Sequence, residues 1–186
     1  MELNALETTR LAARRPTEVD LCTFRRIHTD MGTMKTLSVD GSNLTEHQSR
    51  EVLDRHLKHW ASNGFGIWLF SAKSDGASVG YCGLRRYELQ GRPEIELFYG
   101  VHSRYFRRGF GFEMANAVVC QGFEELRLPS IIAFTLKENV ASRGLMVKLG
   151  MQYEGLIDHV GLPHVLYRLM NHGSEEQPFQ NVPETD

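Results

Sequence analysis

The residues best suited to chemistry lie at positions 104–113, Arg-Tyr-Phe-Arg-Arg-Gly-Phe-Gly-Phe-Glu. Gly109 and Gly111 frame a short turn, with Arg104, Arg107 and Arg108 just before it and an amphipathic helix just after it. The free N–H groups of a helix N-terminus and the helix dipole both favour an anion there. Glycine lets the main chain approach such a ligand closely, and arginine adds forked donors that match phosphate oxygens. A strand-like run at 94–101 leads into this turn. Strand, basic glycine turn and helix start together read as a phosphate cradle. Two other phosphate motifs are excluded. A Walker A loop needs Gly-x-x-x-x-Gly-Lys-Ser/Thr, and the dinucleotide fingerprint needs a third glycine near the start of a βαβ unit.

The elements that must hold the cradle follow from local signals. Residues 8–14 read as a first strand, and Thr17 caps a helix over roughly 17–29. Residues 30–44, with Met31, Met34 and Gly41, read as a loop. Thr45 and Gln48 form a capping-box pattern that opens a helix ending near Gly64. The period then changes to two, and 66–72, 78–84 and 94–101 read as an antiparallel meander turning at Asp75-Gly76 and at 90–93. The next helix places Phe112, Ala115, Val119, Phe123 and Leu126 on one stripe. A buried strand at 130–136, a short helix at 139–149 and strands at 152–159 and 163–170 complete the order. The expected class is α/β with a mixed sheet, antiparallel first and parallel at its centre, because a helix joins 94–101 to 130–136. One unit is expected over 8–170, with flexible tails at 1–7 and 171–186.

Composition narrows the classes further. The chain has 186 residues, 41% hydrophobic and 24% charged, which suits one globular unit. A net charge of -2 makes no case for nucleic acid. No apolar run is long enough for a membrane span, and the first residues lack the features of a signal peptide. The three cysteines, Cys22, Cys82 and Cys120, are scattered and suggest neither disulfides nor zinc, so a cytoplasmic location is expected. His47, His56 and His59 read as a solvated helix face, so no metal is expected; His159 and His164 flank a late hairpin and read either as a border of the acceptor site or, by preference, as surface residues. Trp60 and Trp68 read as core or cleft wall.

Three segments resemble the GCN5-related N-acetyltransferase (GNAT) superfamily, and within it the enzymes that acetylate ribosomal-protein N-termini. Residues 104–113 resemble its acetyl-CoA pyrophosphate loop, with Phe106 in an aromatic position common in that subgroup. Residues 138–151 resemble its Asn-x-x-Ser…Leu-Gly-Phe segment. Gly64–Trp68 followed by Cys82–Arg85 resembles its early strands. The resemblance implies an acyl-CoA N-acyltransferase fold and acetyl-CoA as co-substrate. It implies pyrophosphate on the amides from Arg107 through Arg108, Gly109, Phe110 and Gly111 to Phe112. The pantetheine arm is expected along Phe98, Tyr99, Gly100 and Val101, with a β-bulge splaying the strands there. An acceptor amine, on a peptide N-terminus or a small molecule, then attacks the thioester directly. Homodimers are common in the subgroup; nothing else in the chain bears on oligomerisation.

That reaction assigns roles. An N–H near Phe98 or Tyr99 polarises the thioester carbonyl. Glu96 lies on the strand face opposite Ile95, Leu97 and Tyr99 and either accepts the amine proton or is salt-bridged on a half-exposed sheet; the two readings stay even. The resemblance implies that Asn139 binds pantetheine or orders the loop, with helix capping as its plainer role, and that Ser142 can hydrogen-bond the CoA sulfur. Many family members carry a tyrosine acid four residues after this serine, where Met146 stands here. Gly144 inside the same helix marks close packing on the cofactor or a simple cost in helix propensity. The departures at Met146 and Gly144 keep a second reading open, a CoA-binding regulatory module without turnover.

Overall fold

The computed structural model describes residues 5–38 and 40–171. Its first strands are β1 (Leu6–Glu7) and β2 (Leu11–Arg14). The strand expected at 8–14 is therefore shortened to Leu11–Arg14, because the Thr8 hydroxyl accepts from the Leu11 amide at 2.9 Å and closes a turn ahead of it. Leu6 and Glu7 belong to the sheet rather than to a tail. The tail expectations for 1–4 and 172–186 lie outside the described residues. At the other end Asn171 is tied down, its amide donating to the Pro129 carbonyl at 2.9 Å.

A 3-10 turn at Glu18–Asp20 leads into α1 (Leu21–His28). The segment expected to be a loop contains α2 (Met31–Leu37), whose first-turn Thr33 amide is capped by the Asp30 carboxylate. Asp30 also accepts from the Ser103 amide at 2.7 Å, and Thr33 donates to the Val101 carbonyl at 2.9 Å. These contacts with residues some 70 positions downstream hold a seven-residue helix too short to persist alone. The capping box of α3 (Glu46–Asn63) forms as expected, and Gly64 ends the helix in the left-handed region at φ 72°.

Next come β3 (Ile67–Ala72), β4 (Ser78–Leu89), β5 (Arg92–Val101), α4 (Phe110–Glu124), β6 (Ser130–Leu136), α5 (Val140–Lys148), β7 (Gln152–His159) and β8 (Leu162–Met170). The β4–β5 hairpin is longer than expected, because its turn is the two-residue Gln90-Gly91, both at positive φ, rather than 90–93. The sheet order is β1-β2-β3-β4-β5-β6-β8-β7. Every neighbouring pair is antiparallel except β5–β6, which is parallel through one register pair, Glu96↔Ile132. The mixed sheet with a parallel centre thus matches expectation.

The core under α4 includes Trp68, Leu97, Met114, Ala115, Val118, Ile131 and Ala133. Ala115 and Val119 of the expected stripe are buried there, whereas Phe112, Phe123 and Leu126 are half-buried and Leu126 lies past the helix end. Trp60 and Trp68 meet edge to face at 4.9 Å, so both are core. A second cluster on the other face joins Phe24, Ile27, Leu53, Ile67 and Tyr81.

Two histidines are sealed against this second cluster. His28 bonds Ser49 at 3.1 Å, and burial lowers its imidazole to about 4. His56 packs on Phe24, Tyr81 and Phe98, and burial followed by the nearby Arg85 charge lowers it to about 3. His56 is therefore not on a solvated face. Both rings are neutral when folded and titrate near 6.5 when exposed by unfolding, so the unfolded chain binds more protons below that pH. Stability should accordingly fall by about 2 kcal/mol per histidine between pH 7 and pH 5. Urea melts across that range should reveal the slope, and His28→Gln should flatten it. Loss from Asp30, held down to about 2, belongs to a lower window.

Candidate active site

The site begins where two parallel strands part. Past Glu96↔Ile132, β5 keeps its pairing with β4 without a shift up to Gly80↔Val101. β6 instead pairs along its whole length with β8, from Ser130↔Met170 to Leu136↔His164. No bulge forms in β5 against β4; the expected bulge at Phe98–Gly100 is absent because the divergence comes from β6 following β8. The edge of β5 left open by this parting lines a cavity of about 650 Å³.

One end of the cavity is the glycine turn. Arg107, Gly109, Phe110, Gly111 and Phe112 line it, with Phe106 at its rim. Gly109 is the N-cap of α4 at φ 79° and supplies no side chain, and the amides of Phe110, Gly111 and Phe112 donate to no acceptor among the described residues. Arg107 itself sits at φ 60°, a strained position for a residue with a side chain. Gly111 lets α4 approach its neighbours, because a Cβ there would lie 3.2 Å from Leu145. Arg104 and Arg108 fall outside the lining and sit near the Tyr105 ring, at 5.0 and 5.9 Å. A different cation buttresses the turn. Arg10 donates to the Arg108 carbonyl at 3.0 Å, pairs with Glu113 at 2.6 Å and lies 4.2 Å from the Phe110 ring. Nothing near Arg10 in sequence marks it for this place.

The middle of the cavity is lined by Phe98, Tyr99, Gly100 and Val101 on one strand and by Asn139 and Ser142 across the gap. Asn139 caps α5, accepting from the Ser142 amide at 3.1 Å while its own amide donates to Thr135. The Ser142 hydroxyl lies 2.7 Å from the Tyr99 hydroxyl, and burial raises the Tyr99 phenol well above its ordinary range. Met146 is buried in the core and offers nothing to the cavity. Gly144 lines the cavity, and a Cβ there would meet nothing within 4 Å, so protein packing does not require it.

The far end holds Arg85, Glu96, Phe134, His159 and His164, with Thr36 and Leu37 of α2 as a wall. Glu96 is 3% exposed, and its two oxygens accept from Arg85 at 2.6 and 3.0 Å. It is thus ion-paired, but buried rather than half-exposed. Burial raises the carboxyl, and the guanidinium opposes that rise. The pairing was legible in principle: a two-residue turn at Gln90-Gly91 sets Arg85 opposite Glu96. His159 bonds Tyr87 at 2.9 Å, and His164 is 7% exposed, so neither is a plain surface residue. Met31 and Met34 both lie on α2, Met31 exposed and Met34 buried. Among the described residues no group of three or more metal-ligating side chains converges. No helix there is long and apolar enough to cross a membrane.

The residues present fit a coenzyme A thioester. Uncapped amides, a cavity-lining arginine and an open strand edge follow one another along the cleft. Tyr105, 5% exposed, lines the same cavity, and its buried hydroxyl has no hydrogen-bond partner among the described residues. A buried hydroxyl left unpaired is costly, and a polar ligand in the cleft would offset that cost.

Comparisons with known proteins agree. Residues 10–152 match the family described as acetyltransferase (GNAT) domain. YkkB of Bacillus subtilis (strain 168) is 25% identical over 122 residues, covering 66% of this chain and 71% of that protein. The N-acetyltransferase YnaD of the same organism is 35% identical over 69 residues, 37% of this chain and 41% of its own length. Among solved structures, a GNAT acetyltransferase from Bacillus anthracis superposes with TM-score 0.73 at 22% identity, covering 90% of this chain and 98% of that one. A ribosomal L7/L12 alpha-N-protein acetyltransferase in complex with coenzyme A superposes with TM-score 0.75 at 11% identity, covering 90% and 98%. With the family match spanning most of the chain, this protein belongs to the GNAT acetyltransferases.

Proposed function

We propose that this chain moves an acetyl group from acetyl-CoA to a primary amine, with both substrates bound together and no covalent enzyme intermediate. The observation that carries this reading is the parting of β5 and β6 directly beside the uncapped N-terminus of α4. Acetyl-CoA supplies the activated thioester. The amides from Phe110 to Phe112 and the Arg107 guanidinium hold its diphosphate. The open edge of β5 from Phe98 to Val101 orients the pantetheine arm and offers an N–H to the thioester carbonyl. The Tyr99–Ser142 pair presents a hydroxyl hydrogen to the sulfur. Glu96, locked by Arg85, keeps a negative charge beside the incoming amine. Peptide N-termini are one acceptor class, in keeping with the printed name of the L7/L12 neighbour; small amines are the other. A location in the cytoplasm and a homodimer remain part of this reading.

Incubation with acetyl-CoA and a mixed pool of peptides and amines, read by mass spectrometry, tests it. Coenzyme A should raise the melting temperature and ATP should not. Arg107→Gly should weaken coenzyme A binding about tenfold, the loss of one charge-assisted contact. The same change should stabilise the free protein by about 1 kcal/mol by relieving its left-handed backbone. Equal protection by ATP, with no acetylated product, would overturn the reading. Coenzyme A binding without product would leave a regulatory module instead.

A further inference from the structure

Attack by an amine on a thioester requires a group that takes the surplus proton from nitrogen. That group needs a free lone pair, access to the cavity and an unprotonated resting form. Glu96 meets the first condition only in part, because Arg85 donates to both of its oxygens. His159 shares its Nδ1 with the Tyr87 hydroxyl, a partner that either donates or accepts, so its tautomer is not set.

His164 is different. Its Nδ1 lies 3.0 Å from the Leu162 carbonyl oxygen. A carbonyl only accepts, so Nδ1 must carry the hydrogen. Nε2 is then the unprotonated nitrogen, and it has no hydrogen-bond partner among the described residues. The ring lines the cavity and is held in place edge-on by Phe134 at 5.8 Å and His159 at 5.1 Å. The Glu96 carboxylate lines the same end of the cavity. Arg85 of β4 and His159 of β7 line the same end of the cavity, His159 carrying Tyr87 of β4 at its Nδ1 and Asp158 beside it on β7.

Resting on the transferase reading above, we propose that His164 is the catalytic base, its Nε2 receiving the amine proton inside the cavity. The nitrogen lone pair forms the C–N bond, the C–S bond breaks and its electron pair leaves on sulfur. The nitrogen's surplus proton goes to Nε2, and the thiolate is met by the Ser142 hydroxyl. The imidazolium then returns its proton to the thiolate or to water. In this arrangement Glu96–Arg85 is a positioning pair at the same end of the cavity.

His164→Gln keeps an N–H donor for Leu162 and should lower kcat about 100-fold or more while leaving KM for acetyl-CoA unchanged. The acidic limb of its kcat/KM profile should disappear, whereas His159→Gln should keep that limb. Nitrogen NMR of the free protein should show His164 as the Nδ1–H tautomer, which reads the ring without any turnover. His164→Gln within about threefold of the parent and with the limb intact, or an Nε2–H tautomer, would overturn the assignment. Failure of the parent protein to acetylate any amine would instead defeat the transferase reading, and the tautomer measurement would still judge His164 by itself.

Discussion

Gly83→Ala should lower the melting temperature by roughly 10 °C, a loss of about 3 kcal/mol. Gly83 lies opposite Ile67 in the β3–β4 pair. A Cβ there would stand 2.2 Å from the Ile67 Cα and 2.3 Å from the Gly66 carbonyl oxygen. Both are main-chain atoms, so no side chain can swing aside and the strands themselves must separate. Separation also loosens Trp68 and Tyr81, which sit on these strands in the two cores. Gly144→Ala is the matched control. Nothing lies within 4 Å of its added carbon, and the helix interior gains about 1 kcal/mol from the better helix former. Thermal melts of the two variants should move in opposite directions. Equal melting temperatures for Gly83→Ala and the parent would show that β3 and β4 are not packed this closely.

Ser142→Ala should reduce kcat about 100-fold with little change in KM for acetyl-CoA, in line with loss of one hydrogen-bond donor at a developing charge. Tyr99→Phe should reproduce much of that loss. The two hydroxyls are 2.7 Å apart, and burial keeps the phenol protonated throughout the neutral range. Whichever hydroxyl donates within the pair, one hydrogen is left for the sulfur. The double variant should therefore be scarcely worse than Ser142→Ala, giving a coupling of about 1–3 kcal/mol in a double-mutant cycle. Additive losses would mean that the hydroxyls act separately. Met146, where many family members carry a tyrosine acid, is turned into the core, so the proposed donor to the sulfur is this pair.

The residue string was informative wherever a signal is local. Thr45 and Gln48 start α3 and Gly64 ends it, because caps depend on a few consecutive backbone groups. The glycine turn and α4 were likewise legible, as was the alternation of β5 that puts Glu96 and Phe98 on one face. α2 was not, although Asp30 ahead of Thr33 was a usable cap signal; its stability comes from Ser103 and Val101 across the chain. Arg10 beside the glycine turn carried no local mark, and His164 was marked only by its place beside a late hairpin.

The order of most elements, the caps of α3 and the glycine turn before α4 were thus determined by the sequence itself, since each depends on neighbours a few residues apart. Which side chains share the cavity was decided only in the tertiary structure. Arg85 locks Glu96, Tyr99 meets Ser142 and His164 lines the cavity because strand register and the parting of β5 from β6 bring distant positions together. Both are set by the joint packing of the whole sheet rather than by any one segment.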